Sequence, residues 1–155
     1  METLKKPIHI LFAEDDEDYY LLIKDAFEQF HPIDRLTWVK DGEELMDYLL
    51  QKGPYKNASD SMSPGLILLD LNMPKKDGRG ALKEIRSNPS LKNIPVVILT
   101  TSKDEEDIQL CYQLGANSYI KKPLSFNRLV EIVKVLKQYW FDVVELPKNP
   151  LLHQL

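Results

Sequence analysis

Short apolar runs of strand length alternate along the chain with longer segments in which apolar residues recur every three or four positions. The apolar runs predict five strands, at 8–13, 36–39, 66–70, 95–100 and 117–121. The first, third and fourth runs are almost continuously aliphatic, which is typical of strands that are covered on both faces. The pattern therefore predicts a parallel central sheet.

Each predicted strand is followed by a segment with helical periodicity. These predicted helices lie at 17–30, 42–51, 79–87, 104–113 and 125–140. Ser125 is a predicted N-cap of the last helix, and Leu129, Val133 and Leu136 follow it at helical spacing. Five alternating strands and helices predict an α/β fold, namely a flavodoxin-like (βα)5 domain whose parallel sheet has the strand order 2-1-3-4-5.

Two segments do not fit this alternation. Residues 52–65 are rich in Gly, Pro, Ser and Asn, which predicts a long surface loop before the third strand. Residues 142–155 follow the last predicted helix and include Val143 and Leu146 before two prolines. Because this segment is too short for an output domain, we expect one domain at 1–141 and a C-terminal tail at 142–155.

Composition narrows the class of protein. Hydrophobic residues make up 43% of the 155 positions and charged residues 28%, as in an ordinary globular domain. Because no apolar stretch approaches the roughly 20 residues of a membrane helix and the N-terminus does not resemble a secretory signal, we expect a cytoplasmic protein with no membrane partner. The single cysteine, Cys111, supports neither an internal disulfide nor a zinc site. A net charge of -4 with scattered Lys and Arg argues against nucleic acid as a partner.

Polar side chains follow four of the five predicted strands. They are Glu14, Asp15 and Asp16 at the end of the first, Asp70 with Asn72 close behind at the end of the third, Thr100 and Thr101 at the end of the fourth, and Lys121 and Lys122 at the end of the fifth. Ligands of open parallel sheets bind beyond the carboxyl ends of the strands. We therefore expect these side chains to form one site at that edge.

Three of these acids require a cation if they converge. Glu14, Asp15 and Asp70 would repel one another and raise at least one pKa among them. Mg²⁺ prefers oxygen ligands, and two aspartate carboxylates with a carbonyl near Asn72 would suit it. Calcium is disfavoured because the chain has no EF-hand spacing. The expected cofactor is therefore Mg²⁺.

The charges of this site suggest a reaction. An aspartate such as Asp70 can attack a phosphoryl group, and the acyl phosphate then carries about two negative charges in place of one. Lys122 can supply a charge-assisted hydrogen bond to the added oxygens, and Thr100 a hydroxyl. Drawing that hydroxyl inward would move the loop that carries it.

The combined motifs resemble the receiver domain of two-component response regulators over about residues 7–140. The motifs are the acid pair after the first strand, "DLNMPKKDG" at the third, "TTS" at the fourth and "KKP" at the fifth. The resemblance implies that Asp70 is the phosphoacceptor. It also implies that Asp15 and Asp70 hold Mg²⁺ with the carbonyl of Asn72, while Glu14 acts through a water on the metal.

The same resemblance assigns the remaining site residues. It implies that Thr100 is the switch hydroxyl, Tyr119 the switch aromatic and Lys122 the phosphate-binding lysine, followed by a cis peptide bond at Pro123. The 52–65 loop, "DLNMPKKDGR" and "VVELP" are in addition similar to stand-alone regulators paired with phytochrome-type and related histidine kinases.

These features lead to a hypothesis of a stand-alone phosphorylation switch. A histidine kinase would phosphorylate Asp70, and the surface of the fourth helix, fifth strand and fifth helix would change its affinity for partners. The chain would catalyse only its own phosphorylation and dephosphorylation. Apolar side chains near its end exceed what one core needs, so we expect a homodimer through this surface and the tail. They are Val130, Trp140, Phe141, Val143 and Leu146.

Two alternatives remain open from the sequence. A phosphatase or phosphotransferase of the haloacid-dehalogenase type also uses an aspartate nucleophile with Mg²⁺, but it requires a second acid two residues later. The triplet here is Asp70-Leu71-Asn72, which lacks that acid. A phosphorylation-independent binding module is the other alternative, and it would ignore a phosphoryl donor.

Overall fold

The chain forms a single parallel sheet flanked by helices. The computed structural model describes residues 8–30, 35–56 and 63–147. The strands are β1 His9–Ala13, β2 Arg35–Val39, β3 Leu66–Leu69, β4 Val96–Thr100 and β5 Ser118–Lys121, and the helices are α1 Glu17–Glu28, α2 Gly42–Leu50, α3 Gly78–Ser87, α4 Glu105–Gln113 and α5 Phe126–Lys137. The strand order is β2-β1-β3-β4-β5, which confirms the predicted fold. None of the helices in the described ranges is long and apolar enough to cross a membrane.

Alternate residues of the central strands enter two cores on opposite faces of the sheet. Every residue of β1, β3 and β4 is buried, which explains their continuous aliphatic sequence. On one face, α2, α3 and Cys111 of α4 cover Leu11, Ala13, Ile67, Leu69, Val96 and Ile98. On the other, α1 and α5 cover Ile10, Phe12, Leu66, Leu68, Val97 and Leu99.

Side-chain caps fix the starts of four helices. Asp16, Asp41, Asp77 and Ser125 each accept a hydrogen bond from a backbone N–H in the first turn of the helix that follows. The Ser125 cap confirms the prediction for α5. Since only residues 14–16 separate β1 from α1, the cap at Asp16 also fixes the acidic residues beside it. The helix starts therefore hold the short loops at the carboxyl edge of the sheet.

The C-terminal end of the described chain differs from the predicted helix. The α-helix stops at Lys137 and continues as a π-helical turn over Gln138–Val143. Trp140 and Phe141 of this turn pack against the core that α1 and α5 cover. Further on, a Cβ atom built on Gly65 would lie 3.2 Å from Cδ1 of Leu146, so the tail crosses the start of β3. Part of the apolar surplus near the chain end therefore serves the chain's own core.

The long loop before β3 is described only in part. It contains a 3₁₀-helical turn over Gly53–Tyr55, and the hydroxyl of Tyr55 donates a 2.7 Å hydrogen bond to Oε2 of Glu44 on α2. Positions 57–62 of this loop and 148–155 of the tail lie outside the described residues. The start of the loop is thus attached to α2 through Tyr55.

Candidate functional site

Sheet pairing brings the predicted site residues to one edge of the sheet. Ala13 pairs with Leu69, and the N–H of the next residue, Asp70, donates a 3.0 Å hydrogen bond to the carbonyl of Ala13. Beyond the paired strands β4 and β5, the N–H of Lys122 donates a 2.7 Å hydrogen bond to the carbonyl of Thr100. These bonds extend the ladders beyond the strands, so the rigid sheet positions the polar residues that follow it.

Three carboxylates converge at this edge. Glu14, Asp15 and Asp70 each offer an oxygen, and the three oxygens lie within 4.8 Å of one another. Glu14 and Asp70 are buried, whereas Asp15 is exposed. Burial is the main cause that raises the pKa of Glu14 to about 7, and the negative charge of Asp70 raises it further against the lowering effect of Lys122. The cluster therefore holds anionic oxygens that a cation would stabilise, and it opens to solvent at Asp15.

The donor set fits a hard divalent cation. All three clustered side chains are carboxylates, and no nitrogen or sulfur ligand belongs to the cluster found in the described residues. Oxygen-only sites of this kind suit Mg²⁺ and Mn²⁺ rather than zinc or copper. The residues present are therefore suitable for a divalent metal.

Lys122 places its ammonium group between two of these carboxylates. Its Nζ lies 2.5 Å from Oε1 of Glu14 and 3.4 Å from Oδ2 of Asp70. The other oxygen of Asp70, Oδ1, accepts a 2.8 Å hydrogen bond from the N–H of Leu71. The lysine side chain is almost completely buried. A cation is thus already positioned beside the predicted phosphoacceptor.

The two predicted switch residues lie on neighbouring strands. Thr100 is fully buried, and its Oγ1 has no hydrogen-bond partner among the described residues. Tyr119 is half-buried, and its hydroxyl donates a 2.8 Å hydrogen bond to the carbonyl of Ser102, in the loop after β4. A buried hydroxyl without a partner is costly, so Thr100 is available to a new acceptor.

The loop between β3 and α3 has little room. A Cβ atom on Gly78 would lie 2.2 Å from the carbonyl oxygen of Asp70, so only glycine fits there. Lys75 adopts a left-handed backbone conformation with φ of 64°. Asn72, the predicted carbonyl ligand, is exposed in this loop. The close backbone approach at Gly78 holds the start of α3 against Asp70.

The predicted cis peptide bond at Pro123 is wrong. None of the peptide bonds in residues 8–30, 35–56 and 63–147 is cis, and the bond between Lys122 and Pro123 is trans. An X–Pro bond favours trans by about 0.5–1 kcal/mol, so a local motif alone does not fix the isomer. The backbone hydrogen bond from Lys122 to Thr100 forms with this trans geometry.

Sequence reasoning missed three side chains around the site. The ring of Tyr19 lies under the Lys122 ammonium, with 4.3 Å from Nζ to the ring centroid. The indole Nε1 of Trp38 on β2 donates a 2.7 Å hydrogen bond to the carbonyl of Glu14. Arg79 on α3 binds Asp107 on α4. For Tyr19 the available sequence signal was its place in the first turn of the helix that follows the acid pair.

Comparison with known proteins supports this reading of the geometry. Residues 10–134 match the family model described as the response regulator receiver domain. Response regulator Rcp1 of Synechocystis sp. is 41% identical over 91% of this chain and 94% of its own length. A probable methanogenesis regulatory protein, FilR2 of Methanothrix harundinacea, is 40% identical over 86% of this chain and 84% of its own length.

Solved structures agree with the sequence comparison. The phosphorylated cyanobacterial phytochrome response regulator RcpA superposes with a TM-score of 0.85 at 44% identity, covering 92% of this chain and 100% of RcpA. The Mn²⁺-bound form of Rcp1 superposes with a TM-score of 0.84 at 41% identity, and the superposition covers 92% of this chain and 100% of Rcp1. The sheet order, the clustered carboxylates with their lysine, and these matches together show that the chain belongs to the family of response regulator receiver domains.

Proposed function

We propose that this chain is a stand-alone cytoplasmic switch that accepts a phosphoryl group on Asp70 from the phosphohistidine of a histidine kinase. The observation that carries the proposal is the position of the Lys122 ammonium, 3.4 Å from Oδ2 of Asp70, within a cluster of carboxylates at the sheet edge. Stand-alone action is supported by Rcp1, because the match covers 94% of that regulator.

The transfer step follows from the charges. One carboxylate oxygen of Asp70 attacks phosphorus, an O–P bond forms, and the P–N bond to the donor imidazole breaks with its electron pair left on nitrogen. Mg²⁺ held by Asp15, Asp70 and the carbonyl of Asn72 would shield the negative charge of the phosphoryl oxygens. Lys122 adds a second positive charge beside the acceptor and stays with the product through a charge-assisted hydrogen bond.

The switch step begins at Thr100. Its buried hydroxyl has no hydrogen-bond partner in the part of the chain that the structure describes, and the new phosphoryl oxygens supply one. Movement of Thr100 toward Asp70 pulls the loop that carries Ser102, whose carbonyl accepts the hydrogen bond from Tyr119. Phosphorylation would therefore change the surface formed by α4, β5 and α5, where Tyr119 resides.

A second copy of the chain is the partner that we propose for this surface and the tail. Large apolar side chains remain exposed there although Trp140 and Phe141 pack inward. They are Leu110, Tyr112, Leu124, Phe126, Val135, Tyr139 and Val143. Sedimentation of the phosphorylated and unphosphorylated chain over a range of concentrations tests this. A concentration-independent monomer in both states would exclude the dimer.

The class of kinase is proposed from the relatives. RcpA is named as a phytochrome response regulator, which supports a phytochrome-type kinase as donor for this chain. FilR2, whose name refers to methanogenesis, is 40% identical to this chain and Rcp1 is 41% identical, so a direct comparison of kinases tests the pairing. Initial rates of phosphotransfer from a panel of purified, labelled histidine kinases should rank phytochrome-type kinases first. A faster transfer from another class would reject the pairing.

Phosphorylation itself is tested by intact mass after incubation with acetyl phosphate and Mg²⁺. We expect the mass of one phosphoryl group to be added, and we expect no addition in EDTA or in Asp70→Asn. Asp25→Asn, which changes an exposed aspartate of α1 in the same way, is the matched control and should be phosphorylated. No adduct on the wild-type chain under any condition would defeat the proposal and would favour a phosphorylation-independent binding module.

The phosphatase alternative is tested by a separate turnover assay. It requires steady release of inorganic phosphate from a generic ester, at many turnovers per chain and dependent on Asp70. Because Asn72 stands where such enzymes need a second acid, we expect release no faster than hydrolysis of the chain's own acyl phosphate.

A further inference from the structure

Within the described residues, the ring of Tyr19 is the third contact of the Lys122 ammonium. Tyr19 lies in the first turn of α1, and Nζ of Lys122 is 4.3 Å from its ring centroid. The other two contacts of the ammonium are carboxylate oxygens of Glu14 and Asp70. Lysine has four rotatable side-chain bonds, so contacts from α1 and from the residues that follow β1 and β3 confine an otherwise mobile charge.

The carboxylate contacts are the ones that the reaction changes. A metal ion competes with Lys122 for the oxygens of Glu14 and Asp70, and phosphorylation converts one Asp70 carboxylate oxygen into the bridging oxygen of an acyl phosphate, a mixed anhydride. The face of an aromatic ring attracts an ammonium group through its quadrupole, and this attraction does not depend on the charge of either carboxylate. The contact with Tyr19 can therefore persist from the resting state to the phosphorylated state.

We propose that Tyr19 is a positioning residue for phosphoryl transfer: its ring face holds the Lys122 ammonium at the point where the phosphoryl oxygens arrive. The inference rests on the proposed function of Asp70 as phosphoacceptor. It adds a residue from α1 to a site that is otherwise built from the ends of β1, β3, β4 and β5.

The ring and not the hydroxyl carries this role. The Tyr19 hydroxyl is buried and has no hydrogen-bond partner among the described residues. Burial, followed by the charges of Glu14 and Asp70, raises the pKa of Tyr19, so the phenol stays neutral. The hydroxyl thus supplies Lys122 with neither a negative charge nor a hydrogen bond, and a phenylalanine would present the same face.

Tyr20 provides a matched control one residue later. It is also a half-buried tyrosine of α1, but its ring stacks on Trp38, with 4.4 Å between centroids and 5° between planes. Replacing Tyr20 by leucine removes a ring of the same size from the same helix and leaves Lys122 untouched. Any loss that comes from weaker packing of α1 should appear in both leucine variants.

The first experiment measures the rate of phosphorylation by acetyl phosphate at saturating Mg²⁺, followed by intact mass. We expect Tyr19→Leu to lower the rate about three- to tenfold, the factor that corresponds to loss of a partly desolvated cation–π contact. Tyr19→Phe should restore most of the lost rate, and Tyr20→Leu should stay within about twofold of the wild type.

Combining the changes with Lys122→Met distinguishes positioning from structure. If Tyr19 acts through Lys122, Tyr19→Leu should have no further effect on the residual rate of the Lys122→Met chain. An equal fold-loss in both backgrounds would overturn the inference, and so would a wild-type rate in Tyr19→Leu. A wild-type chain that takes no phosphoryl group would overturn the proposed function as well as this inference.

A second measurement does not require phosphorylation. In a chain labelled with ¹⁵N-lysine, ring current should shift the Lys122 ammonium proton resonance upfield, and the Lys122→Met chain identifies that signal. The shift should disappear in Tyr19→Leu and persist in Tyr19→Phe and Tyr20→Leu. A Lys122 signal that is the same in Tyr19→Leu as in the wild type would show that the ring does not hold the ammonium, whatever the rates.

Discussion

Arg79 on α3 and Asp107 on α4 form a two-bond ion pair, in which Nη2 and Nε of the arginine donate to Oδ1 of the aspartate at 2.7 and 3.0 Å. The second oxygen, Oδ2, accepts a 2.6 Å hydrogen bond from the hydroxyl of Ser102. Since the carbonyl of Ser102 accepts a hydrogen bond from the hydroxyl of Tyr119, the ion pair connects α3 to Tyr119, the predicted switch aromatic, through the loop after β4.

The first prediction concerns this ion pair. Arg79→Gln should lower the free energy of unfolding by about 1.5–3 kcal/mol, because it removes charge-assisted bonds from side chains that are mostly buried. Arg128→Gln is the matched control. Arg128 pairs with Glu131 on α5, and both side chains are more than 60% exposed, against 26% and 18% for Arg79 and Asp107. Arg128→Gln should lower the free energy of unfolding by less than about 1 kcal/mol. Equal losses in urea unfolding would contradict the prediction.

The second prediction is an acid dependence from Asp107. The hydrogen bond from Ser102, followed by the bond from Arg79, lowers the pKa of Asp107 below its ordinary value of 3.8. A carboxyl whose folded pKa is depressed stabilises the protein above its unfolded pKa, and this stabilisation disappears as pH falls through the folded pKa. In Asp107→Asn, the free energy of unfolding should therefore fall less steeply than in the wild type as pH decreases below about 4.

Urea midpoints between about pH 2.5 and pH 6 measure this effect. Asp25→Asn, at an exposed position of α1, is the control and should keep the slope of the wild type. If Asp107→Asn keeps the wild-type slope over the same range, the hydrogen bonds to Asp107 do not stabilise its charged form.

The third prediction has the opposite sign and concerns Glu14. Burial raises its pKa from 4.5 to about 7, so without metal the folded chain binds a proton that the unfolded chain releases. The stability due to this proton is complete below pH 4.5 and is lost as pH rises toward 7. Relative to Glu14→Gln, the metal-free wild type should lose on the order of 3 kcal/mol between pH 5 and pH 8. Parallel curves of unfolding free energy against pH for the two chains would refute this.

The fourth prediction couples that proton to metal binding. Mg²⁺ requires charged carboxylates, so it competes with the proton on Glu14 and should stabilise the chain more at pH 8 than at pH 6. At a Mg²⁺ concentration of about 100 times Kd, the free energy of unfolding should rise by about 2.7 kcal/mol, and EDTA should abolish this gain. Thermal melts over a Mg²⁺ titration at both pH values measure the gain. Asp15→Asn should reduce the stabilisation by Mg²⁺ at both pH values. An unchanged stabilisation in that variant would show that Asp15 is not a ligand of the metal.

The sequence predicted the positions of the acids better than their surroundings. Asp70 and Lys122 could be placed together because parallel strands end at one edge, whatever packs around them. The Tyr19 ring could not be placed over Lys122, since that contact depends on how α1 is rotated against the sheet. Similarly, an apolar run does not reveal whether Trp140 packs in its own core or on a partner. The cis bond at Pro123 was predicted from the family resemblance alone, and the structure has a trans bond there.

The last prediction compares two glycines in the first turn of α3. A Cβ on Gly78 would lie 2.2 Å from the carbonyl oxygen of Asp70 and 2.9 Å from Cα of Leu71, and these backbone atoms cannot move without displacing Asp70, the proposed phosphoacceptor. A Cβ on Gly80 would meet the Lys76 side chain at 3.4 Å, an ordinary contact with a flexible group. Gly80→Ala should therefore raise the free energy of unfolding by about 0.5–1 kcal/mol, because alanine favours the helix.

Gly78→Ala should instead lower the free energy of unfolding by at least about 2 kcal/mol and also slow phosphorylation, since relief of the clash shifts Asp70 away from Lys122. Urea unfolding and the acetyl phosphate assay on both variants separate the two effects. A stable Gly78→Ala chain that phosphorylates at the wild-type rate would show that the loop can move without disturbing Asp70. Loss of both properties in Gly78→Ala alone would show that the approach of α3 to the Asp70 backbone fixes the acceptor for transfer.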